Sequence, residues 1–256
     1  MEIFVFASGS KGNMTYLKTG SVKLFVDVGI SYKKIKEKMT MNHGDLNDIQ
    51  AILITHEHSD HTQGLKLFLK NHPVKDVYLT QGTYDGLAED VKSQLTTYHI
   101  IQADDAFMVH GLKVNSFLLS HDANEPVGFL VANDEKKVVF ISDTGYVDET
   151  YFELLSGADC YLLEANHHPA SLMKSPRPFL LKKRIMGERG HLSNEDAAWL
   201  MNHFVKEKRS VWIVTHISED CNTILDIEEA IVNLFDDPTK IDVHYATADG
   251  LPRIKI

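Results

Sequence analysis

Immediately after the apolar run Ala51–Ile54 the chain reads Thr55-His56-Glu57-His58-Ser59-Asp60-His61, placing three imidazoles and a carboxylate within six residues, His56 to His61. Nitrogen and carboxylate donors at this density suit borderline divalent cations such as zinc. In a tight turn His56 and His58 point the same way. Asp60 and His61, at the start of the helix-like stretch Thr62–Leu69, face a second point nearby. Further donors occupy the same kind of position. His121-Asp122 follows the run Val114–Leu119, Asp143 follows Val138–Ile141, and His216 follows Val211–Val214. In open α/β sheets, sites form beyond the carboxyl ends of strands. Four strand ends offering one ligand chemistry therefore read as a convergence. Ile54-Thr55-His56 is also echoed in Val214-Thr215-His216, as a duplication would leave it.

The elements that must position these residues are legible in outline. Apolar, β-branched runs at Ile3–Ala7, Leu24–Val28, Ala51–Thr55, Val77–Thr80, Val114–Leu119, Val138–Ser142, Cys160–Leu163, Val211–Thr215 and Val243–Ala246 predict buried strands. Helical spacing groups Tyr32, Ile35 and Met39, then Ala197, Leu200, Met201 and Phe204, then Ile224, Ile227, Ile231 and Phe235. Ser193 followed by Asp196 reads as a capping box opening the second of these helices. Such a mixture implies a layered α/β protein with sheets covered by helices. No Gly/Ser-rich linker interrupts residues 1–256, so a single domain is expected. The proline cluster Pro169, Pro176 and Pro178 reads as an irregular insertion.

Composition narrows the function classes. At 256 residues with 43% hydrophobic and 24% charged residues, disorder, coiled coil and collagen are excluded. No apolar run approaches the roughly 20 residues of a membrane span. The start, Met-Glu-Ile-Phe-Val-Phe, lacks a basic leader region, and two cysteines make no disulfide framework, so a cytoplasmic protein is expected. Cys221, five residues past His216, reads as a buried structural thiol. A net charge of −10 excludes a global nucleic-acid footprint. A local one exists: Lys174, Arg177, Lys182, Lys183, Arg184 and Arg189 stand against a single acid, Glu188.

The ordered set His56-x-His58-x-Asp60-His61, His121, Asp143 and His216 resembles the metallo-β-lactamase superfamily, whose fold is a four-layer αββα sandwich. Asp27-Val28-Gly29 resembles its structural aspartate near the start. The stretches Ala7–Asn13, Ser120–Ala123 with Glu125–Gly128, Asp143–Val147, Gly190–Glu195 and Asp249-Gly250 are similar to the YycJ/WalJ branch, a group related to the RNase Z phosphodiesterases. By itself the first of these, rich in glycine, reads as a strand-to-strand turn. The resemblance implies two divalent metal ions, with zinc or manganese expected and iron compatible. His56, His58 and His121 would hold one, Asp60, His61 and His216 the other, and Asp143 would bridge them.

A water shared by two such metals loses a proton near pH 7 and attacks either a carbonyl or a phosphorus. Two features favour phosphorus. His191, 25 residues before His216, matches the position of a catalytic histidine in the RNase Z-like branch and would protonate the leaving oxygen. Glu164, in a stretch similar to an RNase Z element, would orient it, and Asp60 completes the residues expected at the chemistry. The basic residues from Lys174 to Arg189 run up to His191, where a cationic lip suits a phosphate backbone. A metal-dependent phosphodiesterase follows, with a 5′-directed DNA exonuclease as the specific expectation from the YycJ/WalJ resemblance. A cyclic-phosphate phosphodiesterase is the nearest alternative. A thioester or lactone hydrolase and a non-catalytic metal-binding partner module are more distant ones.

Overall fold

The computed structural model describes residues 1–72 and 76–256. Its strands are β1 (Glu2–Ala7), β2 (Met14–Thr19), β3 (Val22–Val26), β4 (Ala51–Leu53), β5 (Asp76–Thr80), β6 (Tyr98–Ile101), β7 (Ala106–Val109), β8 (Leu112–Leu118), β9 (Val127–Ala132), β10 (Lys137–Ile141), β11 (Cys160–Glu164), β12 (Ser210–Thr215), β13 (Ile241–Tyr245) and β14 (Leu251–Lys255). Its α-helices are α1 (Tyr32–Met41), α2 (Ser59–Thr62), α3 (Leu65–Asn71), α4 (Gln81–Gly86), α5 (Glu89–Lys92), α6 (Phe152–Leu155), α7 (Pro169–Lys174), α8 (Phe179–Ile185), α9 (Asn194–Phe204) and α10 (Ile224–Leu234). None is long and apolar enough to cross a membrane. The α/β class read from the apolar runs is the observed one. Two compact units divide the chain. The first is Met1–Leu118 with Ala123–Val127 and Ala248–Ile256; the second is Leu119–Asp122 with Gly128–Thr247.

In the first unit seven strands pair in the order β14-β1-β2-β3-β4-β5-β6, antiparallel from β14 to β3 and parallel from β3 to β6. Strands β7 and β8 form an antiparallel pair. The core holds an aromatic chain in which Tyr16 meets Phe25 at 5.8 Å and Phe25 meets Phe68 of α3 at 5.4 Å, both edge-on. Helix α1 buries Ile35 and Met39, the face its spacing predicts. In the second unit the order is β13-β12-β11-β10-β9, with β10 to β13 parallel and β9 antiparallel to β10. Tyr161 and Phe204 stack at 5.7 Å, which seats α9 on β11.

The local readings need three corrections. The helical pattern Thr62–Leu69 is two helices, α2 and α3, broken at Gly64, where a Cβ would lie 2.1 Å from the Ile30 carbonyl oxygen. The proline-bearing insertion is not irregular. Pro169 opens α7 and Pro178 caps α8, positions where a missing N–H removes no helical bond. Strands β2, β6, β7, β9 and β14 lie outside the apolar runs that predict strands. In edge strands β6 and β14 most residues are exposed and only Ile101 is buried, so neither carries a buried face. The Ser193 cap is present, its side chain accepting from the Asp196 N–H.

Gly64→Ala is expected to destabilise the fold by about 1–3 kcal/mol, because the methyl meets backbone that cannot give way without moving α3. An unchanged urea midpoint would contradict this packing.

Candidate functional site

Parallel register explains why the donors gather. In the first unit Val26 pairs with Leu53, so Asp27 and the Thr55–His61 segment leave the sheet at one edge. The Asp27 N–H donates to the Leu53 carbonyl at 2.9 Å, and its buried carboxylate accepts from the Thr55 N–H at 2.9 Å and from His61 Nδ1 at 2.7 Å. A carboxylate of this kind only accepts, so the His61 proton sits on Nδ1 and Nε2 presents a lone pair. The Thr55 hydroxyl donates to Asp27 at 2.9 Å and therefore accepts from His56 Nδ1 at 3.1 Å. That leaves His56 Nε2 as a lone pair too, 3.2 Å from His58 Nδ1.

These residues fit a cation. Two nitrogens bound at 2.0–2.1 Å to a tetrahedral metal lie about 3.3 Å apart, close to the His56–His58 spacing. His61 Nε2 lies 3.7 Å from Asp60 Oδ2, and the His56 and His61 rings are centred 4.0 Å apart. All four donors that the sequence places here are thus brought together within this unit. Asn13 was missed. Its amide nitrogen lies 3.0 Å from His61 Nε2 and 3.4 Å from Asp60 Oδ2, while its side chain exchanges two bonds with Gly9. The stretch Ala7–Asn13 is the strand-to-strand turn that the sequence indicated, between β1 and β2, and it also reaches the site. Gly9 and Gly12, both at positive φ, were the available signal.

In the second unit Ile141, Leu163 and Val214 lie in one register across β10, β11 and β12. Asp143, Glu164 and His216 therefore emerge together. With His191 they offer four ligand atoms within 4.8 Å of one another. Glu164 is fully buried and accepts from the Thr144 N–H at 2.7 Å, His191 Nδ1 at 3.1 Å and His216 Nδ1 at 3.1 Å. The sequence assigned Glu164 to His191 alone; its hold on His216 was not foreseen. His216 Nδ1 also lies 3.3 Å from Asp143 Oδ1. His121 is buried, with its ring centred 5.5 Å from that of His191 and its pKa lowered by burial. His167, which the sequence left unassigned, is buried beside this cluster and held neutral, burial taking its pKa down to about 4.

Electrostatics polarise the Glu164–His191 pair. Burial disfavours charge on both groups, and their mutual attraction overrides it. Glu164 is lowered to about 2 against the repulsion of Asp143, and His191 is raised to about 9 with the help of that same carboxylate. Asp27, Asp143 and His216 all sit at positive φ, 60°, 60° and 50°, immediately or two residues beyond a strand. Such backbone costs of order 1–3 kcal/mol per residue and collects at functional sites. The His216 turn is held by Asn166, whose amide donates to the His216 carbonyl at 2.8 Å.

The basic stretch is divided in its duties. Lys182 does not face solvent as the lip reading required; it is buried, and its Nζ donates to the Met173 carbonyl at 2.7 Å, closing the last turn of α7. Arg177 pairs with Asp220 at 3.2 Å, Arg184 pairs with Asp122, and Arg189 Nε donates to the His121 carbonyl at 3.0 Å. Lys174 and Lys183 are exposed. Cys221 is a buried structural thiol, packed with Leu172 and Ile185.

Two outcomes follow. Asp27→Asn should weaken divalent-cation binding about 10–100-fold, read by metal titration, as loss of an orienting carboxylate does. The second concerns pH. A lowered Glu164 pKa stabilises above its ordinary 4.5, and a raised His191 pKa stabilises fully below its ordinary 6.5 and is lost as pH rises through about 9. In excess EDTA, the stability lost on Glu164→Gln should be greatest between these ordinary values and shrink as pH climbs toward 9. A loss that stays constant with pH would show that the pair carries no charge.

A Beta-lactamase superfamily domain model matches residues 25–217. The exodeoxyribonuclease YycJ of Bacillus anthracis is 34% identical over 223 residues, 87% of this chain and 84% of that protein. The exodeoxyribonuclease WalJ of Streptococcus pneumoniae is 35% identical over 221 residues, 85% of this chain and 82% of that protein. Among solved structures, the metallo-β-lactamase fold protein YhfI from Bacillus subtilis aligns with a TM-score of 0.74 at 13% identity over 99% of both chains. The short form of human tRNase Z aligns at 0.68 and 17% identity over 100% of this chain and 99% of that one. These distant likenesses show the fold, and it is the metallo-β-lactamase fold that the sequence resemblance implied. The chain belongs to the metallo-β-lactamase superfamily and, by its identity to YycJ and WalJ, to their branch of metal-dependent hydrolases.

Proposed function

We propose that this protein is a phosphodiesterase that degrades DNA from its 5′ end, using two divalent cations. The observation that carries this reading is the His191–Glu164 pair at 3.1 Å, beside Asp143 and His216. An alkoxide leaving from phosphorus needs a proton, and an imidazole held by a buried carboxylate beside Asp143 and His216 can supply one. The names of the two relatives, both exodeoxyribonucleases, support DNA as the polymer.

His56, His58, Asp60 and His61 of the first unit and His121, Asp143 and His216 of the second are the proposed ligands. Zinc or manganese suits this donor set, and iron is compatible with it. When bound, the cations supply Lewis acidity and lower the pKa of water toward 7. The chain's own groups do the rest. Asp27 and Thr55 hold the His61 and His56 rings so that Nε2 faces outward. Glu164 holds His191 by Nδ1, and the imidazolium gives its Nε2 proton to the departing sugar oxygen. The Glu164 carboxylate favours a proton on His191 and so helps keep that proton available.

The test is hydrolysis of single-stranded DNA, duplex DNA, RNA and bis-p-nitrophenyl phosphate in Mn²⁺ or Zn²⁺. The wild type should cleave DNA and the small ester. A preparation that binds two cations and leaves both untouched would remove the proposal. His191→Ala should keep its metal content and lose about 10²–10⁴ in kcat. Asp143→Asn should lose both; asparagine tolerates the positive φ at this position, so the loss reports the ligand and not the backbone.

A further inference from the structure

Helix α8 is amphipathic the wrong way round. Its sequence is Phe-Leu-Leu-Lys-Lys-Arg-Ile, yet Lys182 and Ile185 are buried while Phe179 is 66% and Leu180 80% exposed. An ordinary surface helix would bury its aromatic residue and release its lysine. Here the Lys182 ammonium is tied to the Met173 carbonyl at the C-terminal end of α7, where a cation is favourable. Ile185 packs with Leu172 and Cys221. These two anchors set the rotation of α8 and turn Phe179 and Leu180 outward. Lys183 lies one helical turn from both and is also exposed, as is Lys174 at the end of α7. The apolar surface is therefore interleaved with cations, in a chain whose net charge is −10.

The helix that carries this face is tied through its backbone to the proposed acid. The His191 N–H donates to the carbonyl of Ile185, the last residue of α8, at 2.9 Å. Gly190 lets that strap close: a Cβ there would lie 2.1 Å from the same carbonyl oxygen. Phe179 and Leu180 lie six and five residues along the chain from Ile185, on the same helix that His191 is bonded to. Exposed aromatic and aliphatic groups beside exposed ammonium groups match unpaired nucleotides, which present an apolar ring face and a phosphate at each step.

We propose that Phe179 and Leu180 form a stacking platform for the unpaired bases of a single-stranded DNA end, with Lys183 and Lys174 on the adjoining phosphates; this rests on the nuclease reading. The platform selects single-stranded or frayed ends, because paired bases keep their ring faces in the duplex stack. It gives α8 a duty distinct from the phosphate-only lip inferred from the count of basic residues.

The experiment is fluorescence anisotropy of the full chain loaded with Mn²⁺, on a short phosphorothioate oligothymidylate and on an abasic strand of equal length. Phe179→Ala should weaken binding to the base-bearing strand about 10–100-fold and leave the abasic strand unaffected, while Phe179→Trp keeps wild-type affinity. Lys183→Glu should weaken both strands alike. An equal loss on both strands with Phe179→Ala, no loss, or no binding by the wild type would overturn the platform. So would a Phe179-dependent affinity for phosphatidylglycerol vesicles without one for the strand, which would assign the face to a membrane surface. A wild type that binds in this base-dependent way but cleaves no DNA would remove the nuclease reading and keep the platform. Cleavage with a neutral Phe179→Ala would do the reverse. Because Phe179 is two-thirds exposed, its replacement should leave the thermal midpoint in place, which circular dichroism checks.

Discussion

Two buried carboxylates, each just beyond or at the end of a parallel strand, organise everything around them. Asp27 and Glu164 are 4% and 0% exposed. A carboxylate taken out of water costs several kcal/mol unless donors surround it. The fold supplies those donors from the residues that the same strand ends place nearby: Thr55 and His61 for Asp27, and Thr144, His191 and His216 for Glu164. Satisfying the carboxylate and orienting the imidazole are one event. Each ring gives its Nδ1 proton inward and is left with Nε2 to offer. The two units reach the same solution with different residues, Asp27 one position after β3 and Glu164 as the last residue of β11.

The positive-φ turns at Asp27, Asp143 and His216 belong to this arrangement. A strand that ran on in extended geometry would carry the next side chain along the sheet. A left-handed residue turns the chain sharply and brings a short side chain back over the strand ends. The strain is held by bonds made on either side, such as Asn166 on the His216 carbonyl and the Leu53 carbonyl on the Asp27 N–H. Stability is thus exchanged for position at residues proposed for the chemistry.

Charge is arranged on the same local scale. For a chain of net −10, the proposed handling of a polyanion depends on where its cations point rather than on how many it has. Of the six basic residues between Lys174 and Arg189, Lys182 is spent inside the fold, and Arg177, Arg184 and Arg189 are engaged by Asp220, Asp122 and the His121 carbonyl. The stretch therefore does structural work first, fixing α7 and α8 against the segment that carries His121 and His191. Lys174, Lys183, Arg184 and Arg189 stay exposed, beside the exposed apolar residues Phe179 and Leu180.

Much of this was legible in the chain alone. The metal-type donors were visible because ligand chemistry admits few residue types and because each stood after an apolar run, so residue identity and strand ends could both be read locally. Most of the buried strands and the three long helices were legible for the same reason, since periodicity is a local property, although the wholly buried β9 was not picked out. Exposed edge strands β6 and β14 were not, because an edge has no buried face to write into the sequence. Asn13, Thr144 and Asn166 were missed because a polar residue in a turn looks alike whether it faces water or orients a histidine. The direction in which Lys182 and Phe179 point was equally illegible, since the helical pattern of α8 alone assigns them the opposite faces. The sequence by itself determined which groups are available for chemistry and that strands would carry them. Only the tertiary structure decided which carboxylate holds which imidazole and which cations remain exposed, because both depend on register and packing between segments far apart in the chain.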